Sequence, residues 1–161
     1  MVGIAYYLMI LQNQQRQRRL DLTKELSNIT NIEGQSRGLE LLMMEWKDYD
    51  DFERKYGSDV NPENYALRYS TWSTYNTTGY YLKEGYIKIE DIVGITGGQP
   101  GVIWIWDKYE SIIYEIRKRY NIPDLFMNWE YFADELLKYY KNNFENYEIP
   151  KKYSSYNPHE P

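Results

Sequence analysis

The stretch 102-VIWIWDKYESIIYEIRKRY-120 admits two readings, and the choice between them decides the fold. Its first five residues, Val102 to Trp106, can be read as a strand. No second convincing strand exists in the chain to pair with it, and an isolated strand is not stable. Read as a helix, Val102, Ile105/Trp106, Tyr109, Ile112/Ile113, Ile116 and Tyr120 form a stripe at spacings of three and four. Arg117, Lys118 and Arg119 then fall at its C-terminus, where the helix dipole favours cations. Helix is the preferred reading, with Pro100 opening it.

The rest of the chain reads the same way. Tyr7, Leu8, Leu11, Leu20, Leu22, Leu26 and Ile29 fit one long N-terminal helix, polar through its middle, ending near Asn31 with Gly34 beyond. Ser36 is a candidate cap for the next helix, whose stripe is Leu39, Leu42, Met43 and Trp46. Asp48 to Tyr56 is a short helix, acidic at its start and basic at its end, stopped by Gly57. Asn61-Pro62-Glu63 is a helix start, and Tyr65, Tyr69, Trp72, Asn76, Gly79/Tyr80 and Lys83 recur behind it until Gly85. A short helix follows over Ile87–Val93, closed by Gly97-Gly98. After a break at Pro123-Asp124, Phe126, Trp129, Phe132/Ala133, Leu136/Leu137, Tyr140 and Phe144 give a last amphipathic helix. The expectation is an all-α fold, an irregular bundle of about six helices with a long N-terminal helix. Residues 1–19 are read as an apolar segment plus basic collar, 20–149 as the helical domain and 150–161 as a loose tail.

Composition bounds the function. The 161 residues carry a net charge of −5, which argues against a general nucleic-acid partner. There is no cysteine, so disulfides, thiolate metal sites and a cysteine nucleophile are excluded. The one histidine, His159, stands in the tail, so no nucleophile–histidine pair can be argued. The Glu-x-x-His element of a helical di-iron site is missing, and no metal or other cofactor is expected. Glu40/Glu45 and Glu130/Asp134 are read as pointing to water. The acidic cluster Glu45, Asp48, Asp50, Asp51 and Glu53 lacks the spacing of a calcium loop and is read as a solvated helix start. The run Gly94 to Gly101 has the glycines of a phosphate loop but neither the preceding strand nor the following lysine, and reads as a tight interhelical turn. The sequons at Asn28 and Asn76 both sit in helical patterns. Aromatic residues make up 17% of the chain, with 19 tyrosines and 5 tryptophans, which suits a tyrosine-rich core. No catalytic residue stands out, and the chain is not expected to be an enzyme.

The functional signal lies at the N-terminus. Val2 to Leu11 is apolar apart from two tyrosine hydroxyls and runs directly into a Gln- and Arg-rich collar. Its ten residues rise about 15 Å as helix, half the thickness of a bilayer core, so the segment does not span one alone. It has no charged n-region and no cleavage site of a secretory signal. Four readings remain: a segment dipping into a membrane, a segment held in a groove of a membrane complex, the second half of a spanning helix that starts upstream, or a core helix. On the anchor readings Val2, Ile4, Tyr7, Leu8, Ile10 and Leu11 are the buried contacts. Arg16, Arg18 and Arg19 then meet lipid headgroups, and the domain lies on the cytoplasmic side. Arg117-Lys118-Arg119 would join them if the fold placed it beside the collar. Trp104, flanking the Ile105/Trp106 stripe, is the candidate docking surface.

One wider pattern accompanies these. The apolar segment, the Gln/Arg-rich helix, the run Tyr65-Ala66-Leu67-Arg68-Tyr69, then Gly85-Tyr86-Ile87 with Ile92-Val93, and finally Ile105-Trp106-Asp107-Lys108-Tyr109-Glu110 leading into Ile116-Arg117 cover roughly residues 5–120. Together they resemble a widespread prokaryotic family of small membrane-anchored helical proteins known only as a domain of unknown function. Members usually carry a full spanning helix, where this chain has half of one. The resemblance implies a cytoplasmic helical domain tethered to a membrane and brings no catalytic residues. The expected function is therefore a non-enzymatic accessory or scaffold protein, its partner a membrane surface or a membrane protein complex, with a homo-oligomer also compatible. The alternative is a soluble small-molecule binder with an aromatic-lined pocket.

Overall fold

The computed structural model describes residues 2–150, leaving aside the side chains of residues 2, 19, 25 and 28–30. The chain is all-α, with seven helices and no strand among the described residues: α1 (Val2–Thr30), α2 (Ile32–Met43), α3 (Tyr49–Tyr56), α4 (Pro62–Lys83), α5 (Ile89–Thr96), α6 (Gly101–Tyr120) and α7 (Met127–Asn143). The stretch that admitted a strand is the start of α6. The expected tail from residue 151 on, with His159, lies outside the described residues.

Local chemistry accounts for most boundaries. The Asp48 carboxylate accepts from the Asp51 amide (2.8 Å) and starts α3, and Asn61 accepts from the Asn64 amide (3.1 Å) ahead of Pro62 in α4. Gly97, left-handed at φ 68°, ends α5, and Asn121 does the same for α6. The start of α2 departs from expectation. Asn31, not Ser36, is its cap, accepting from the Gly34 amide at 2.7 Å, so Ser36 and Gly34 both lie inside the helix. A single residue therefore separates α1 from α2. Met44 is extended and ends α2 there, so Trp46 packs from the loop rather than from the helix stripe.

The closest helix pair is α4 with α7. Its buried α4 face is Asn64, Arg68, Thr71, Trp72, Tyr75, Thr78 and Gly79, one step round from the expected tyrosine stripe. Tyr65, Tyr69 and Tyr80 are exposed instead. At Gly79 the reason is size: a β-carbon there would stand 1.9 Å from the Asn128 carbonyl oxygen, so only a glycine lets the two backbones meet at that point. That approach brings the Asn76 side-chain oxygen to the amides of Asn128 (3.1 Å) and Trp129 (3.3 Å), capping α7 from a neighbouring helix. Phe126, at the cap position itself, is left-handed and offers no side-chain acceptor. Asn76 is thus committed to the fold rather than presented as a free sequon.

Two rings centre the core. Trp129, fully buried, packs against Trp106 (5.0 Å between centroids), Tyr75 (5.4 Å) and Trp72 (5.9 Å). Tyr109, also fully buried, packs against Trp46 (4.8 Å) and Trp72 (5.2 Å) and donates its hydroxyl to the Leu41 carbonyl (2.9 Å). Trp72 links the two, so α2, α4, α6 and α7 share one aromatic interior. Tyr120, expected at the end of the α6 stripe, is exposed, because the stripe leaves the core beyond Ile116.

Two glycine substitutions of opposite sign check this packing in urea unfolding. Gly79→Ala should destabilise the domain by about 1–3 kcal/mol through overpacking, despite the better helix former. Gly94→Ala on α5, where an added β-carbon meets nothing within 4 Å, should stabilise it by up to about 1 kcal/mol.

Candidate anchor and docking site

The N-terminal half of α1 extends beyond the bundle. Ile4 is 71% exposed, Tyr7 63%, Leu8 53% and Leu11 38%, and Ile10 is half-covered. Tyr6 and Met9 are exposed too, so the segment is apolar on all sides and unpacked on nearly all of them. This overturns the core-helix reading of residues 2–11. The backbone of Val2 is helical, but its side chain lies outside the described residues. Contact with the bundle comes later in α1, where Leu26 is buried and Leu22 packs against the core. The helix is unbroken across residue 19, so apolar segment, collar and first helix of the domain are one continuous rod.

The collar sits where that rod meets the bundle. Arg16 and Arg18 are exposed and line an open groove of about 850 Å³ with Tyr86, Lys88, Asp21 and Asp91. The Arg19 side chain lies outside the described residues. Arg117 and Arg119 do not join this groove. Arg117 pairs with Glu130 (2.7 Å) and donates to the Leu125 carbonyl (2.8 Å), and Arg119 pairs with Glu115 and Asp50, both at 2.8 Å. Glu130, read as pointing to water, instead holds α6 to α7 and also accepts from the Tyr114 hydroxyl (2.7 Å). Trp104 is not an outward-facing aromatic. It is half-buried against the core, and its indole N–H donates to the Tyr147 hydroxyl (3.2 Å) of the segment that follows α7.

Three buried charges escaped the sequence reading. Arg68 is 3% exposed, donates to the Asn64 side-chain oxygen (2.9 Å) and the Tyr56 carbonyl, and lies over the rings of Phe52 (4.5 Å) and Trp72 (5.3 Å). Burial lowers its pKa, and an arginine there stays charged. Lys108 is buried with its ammonium 5.0 Å from the Trp46 ring, and burial lowers its pKa as well. Both stand inside motifs quoted for the resemblance, but no burial was read for either, and the one available signal for Arg68 was its four-residue spacing from Asn64 and Trp72. Asp51, placed in a solvated cluster by the sequence, is 4% exposed. Its carboxylate accepts from Lys55 (2.9 Å), the Lys47 amide (3.0 Å) and Arg54. Among the described residues no group of three or more His, Cys, Asp or Glu is placed to hold a metal ion, and no helix is long and apolar enough to cross a membrane.

Comparison with known proteins finds no matching family model, no matching curated protein and no matching solved structure. The fold and the projecting helix end therefore define the protein's class: an all-α bundle carrying an uncovered apolar tip.

The Asp51 cluster gives a pH test. Hydrogen bonding from Lys55 first, then from Lys47 and Arg54, holds the Asp51 carboxyl down to about 2. An unfolded aspartate titrates near 3.9, so this stabilisation is complete above about pH 4 and is lost as pH falls toward 2. The stability difference between wild type and Asp51→Asn, followed by circular dichroism, should be constant from pH 7 to about 4 and shrink below that.

Proposed function

We propose that the protein is a non-enzymatic, membrane-associated scaffold whose helical domain docks on a membrane protein complex. One observation carries this: Ile4 to Leu11 is a regular helix, apolar on every side and largely exposed, while the core is complete without it. A helix that is apolar all round belongs in an apolar surrounding. Flat binding at a membrane surface needs a polar face, which this segment lacks. Its length of about 15 Å matches one leaflet, or a groove in a membrane complex.

The magnitudes call for two signals. Covering Ile4, Leu8, Met9 and Leu11 gains roughly 5 kcal/mol after allowing for the area already covered. Arg16, Arg18 and Arg19 would add about 1 kcal/mol each at an anionic surface. Neither reaches the roughly 8 kcal/mol of micromolar binding alone, and together they do. The collar also favours the cytoplasmic face for the domain. The resemblance to membrane-anchored helical proteins points the same way. An aromatic-lined ligand pocket gains no support from the interior, where the rings are packed on one another.

Fractionation of native cells tests the reading. The protein should sediment with membranes, and Leu8→Glu with Leu11→Glu should move it to the supernatant without altering its helical circular dichroism. Release by salt alone would assign the holding to the arginines, and resistance to salt and carbonate would assign it to the apolar tip. Wild-type protein recovered wholly as a soluble monomer would overturn the proposal.

A further inference from the structure

The connection Gly97-Gly98-Gln99-Pro100-Gly101 and the first turn of α6 form one wall of a cavity of about 330 Å³. Gly34, Gln35 and Gly38 of α2 form the facing wall, and Tyr75 of α4 also lines it. This is the glycine run that the sequence reduced to a turn, and three independent features meet there.

First, α6 is a twenty-residue helix whose N-terminus carries no internal anion. Pro100 at the cap supplies no side-chain acceptor, and the first turn holds no acidic residue. The Val102 amide donates back to the Gln99 carbonyl (3.3 Å), and the positive end of the helix dipole with its remaining first-turn N–H groups is left for something else to satisfy. The backbone is bare at this point, since a β-carbon on Gly101 would meet nothing within 4 Å. Second, Tyr75 is 5% exposed, and its hydroxyl lies 4.0 Å from where a Gly38 β-carbon would stand. That hydroxyl makes no hydrogen bond to any described residue. The ring is buried, but the hydroxyl borders the cavity and is left to whatever occupies it. Third, Arg37 of α2 is half-buried next to Gly38 of the cavity wall, and its ion pair with Glu33 is long, at 3.9 Å.

We propose that this cavity binds the oxyanion group, carboxylate or phosphate, of a small molecule. The α6 N-terminus and the Tyr75 hydroxyl donate to the anion, Arg37 supplies charge, and Leu42 and Ile105 line the apolar side. The volume is at the small end of ligand pockets and suits a compact organic acid or phosphate ester. Gly98 is required by the loop, because a β-carbon there would stand 2.6 Å from the Tyr140 hydroxyl. None of the residues lining the site belongs to α1, so it does not depend on the anchor.

Amide NMR of the full chain tests this, with inorganic phosphate and acetate as probes and chloride at equal ionic strength as the control. Saturable shifts are expected at Gly97, Gly98, Gly101 and the Trp104 indole with at least one probe, and the probe that saturates identifies the group. Tyr75→Phe, which removes only the hydroxyl, should weaken that binding about tenfold. Gly101→Asp should abolish it by placing a carboxylate at the helix start, and should raise the melting temperature. Absence of saturable shifts with both probes, or equal affinity in wild type, Tyr75→Phe and Arg37→Gln, would overturn the proposal.

Discussion

At Gly79 the backbones of α4 and α7 approach so closely that no β-carbon fits between them. Most of the interior follows from that contact. It brings the Asn76 oxygen to the first turn of α7, which has no cap of its own. It sets Trp129 against Trp72 and Tyr75, and through Trp72 against the second ring centre at Tyr109. α6 then packs across the same rings through Trp106. The bundle is irregular because its closest contact is made by small and polar residues while its bulk is aromatic. The rings meet both edge-on, as Trp106 does Trp129, and tilted, as Trp72 does Trp129, and these preferred approaches constrain the helices that carry them.

The buried cations belong to the same arrangement. Arg68 and Lys108 share one setting. They lie over aromatic faces, and Arg68 also reaches the Tyr56 carbonyl and Asn64. A guanidinium is flat, weakly hydrated and stacks on rings, so an aromatic interior accepts it more readily than an aliphatic one would. The carboxylate that is buried, Asp51, lies nearby on α3 but is held by Lys55, Arg54 and the Lys47 amide. For Arg68 and Asp51 the compensating groups are close by in the fold: ring faces, a carbonyl and an amide oxygen for the one, two basic side chains and an amide for the other.

The sequence disclosed the helices whose ends carry their own chemistry. Asp48, Asn61-Pro62, Gly57, Gly85 and Gly97 are local punctuation, and the structure uses each of them near where it was read. It failed where the decision was made by another element. Asn31 was read as the end of α1 and is the cap of α2, since either role suits an asparagine. The inward face of α4 was misread because tyrosine serves on either side of a helix, whereas Gly79 is inward because the α7 backbone meets it there. Trp104 was expected outside and is covered by the segment carrying Tyr147, a contact between residues far apart in sequence. The tip of α1 was left between core and anchor, and only the completed bundle shows that the core does not use it. The cavity beside α6 was invisible for the same reason: its parts come from α2, α4 and the glycine turn, and no one of them is a motif.

The unbroken course of α1 has a geometric consequence. Between the apolar tip ending at Leu11 and the packed residue Leu22 the helix has no joint, so it acts as a keyed shaft. Each residue in that interval contributes about 1.5 Å of height and about 100° of rotation. Inserting one residue would barely change how far the bundle stands from whatever grips the tip, yet would turn it by more than a quarter of a revolution. Height is the forgiving coordinate of this connection and azimuth the unforgiving one, so the length of the Gln/Arg-rich segment sets which flank of the bundle faces a partner fixed in the same plane.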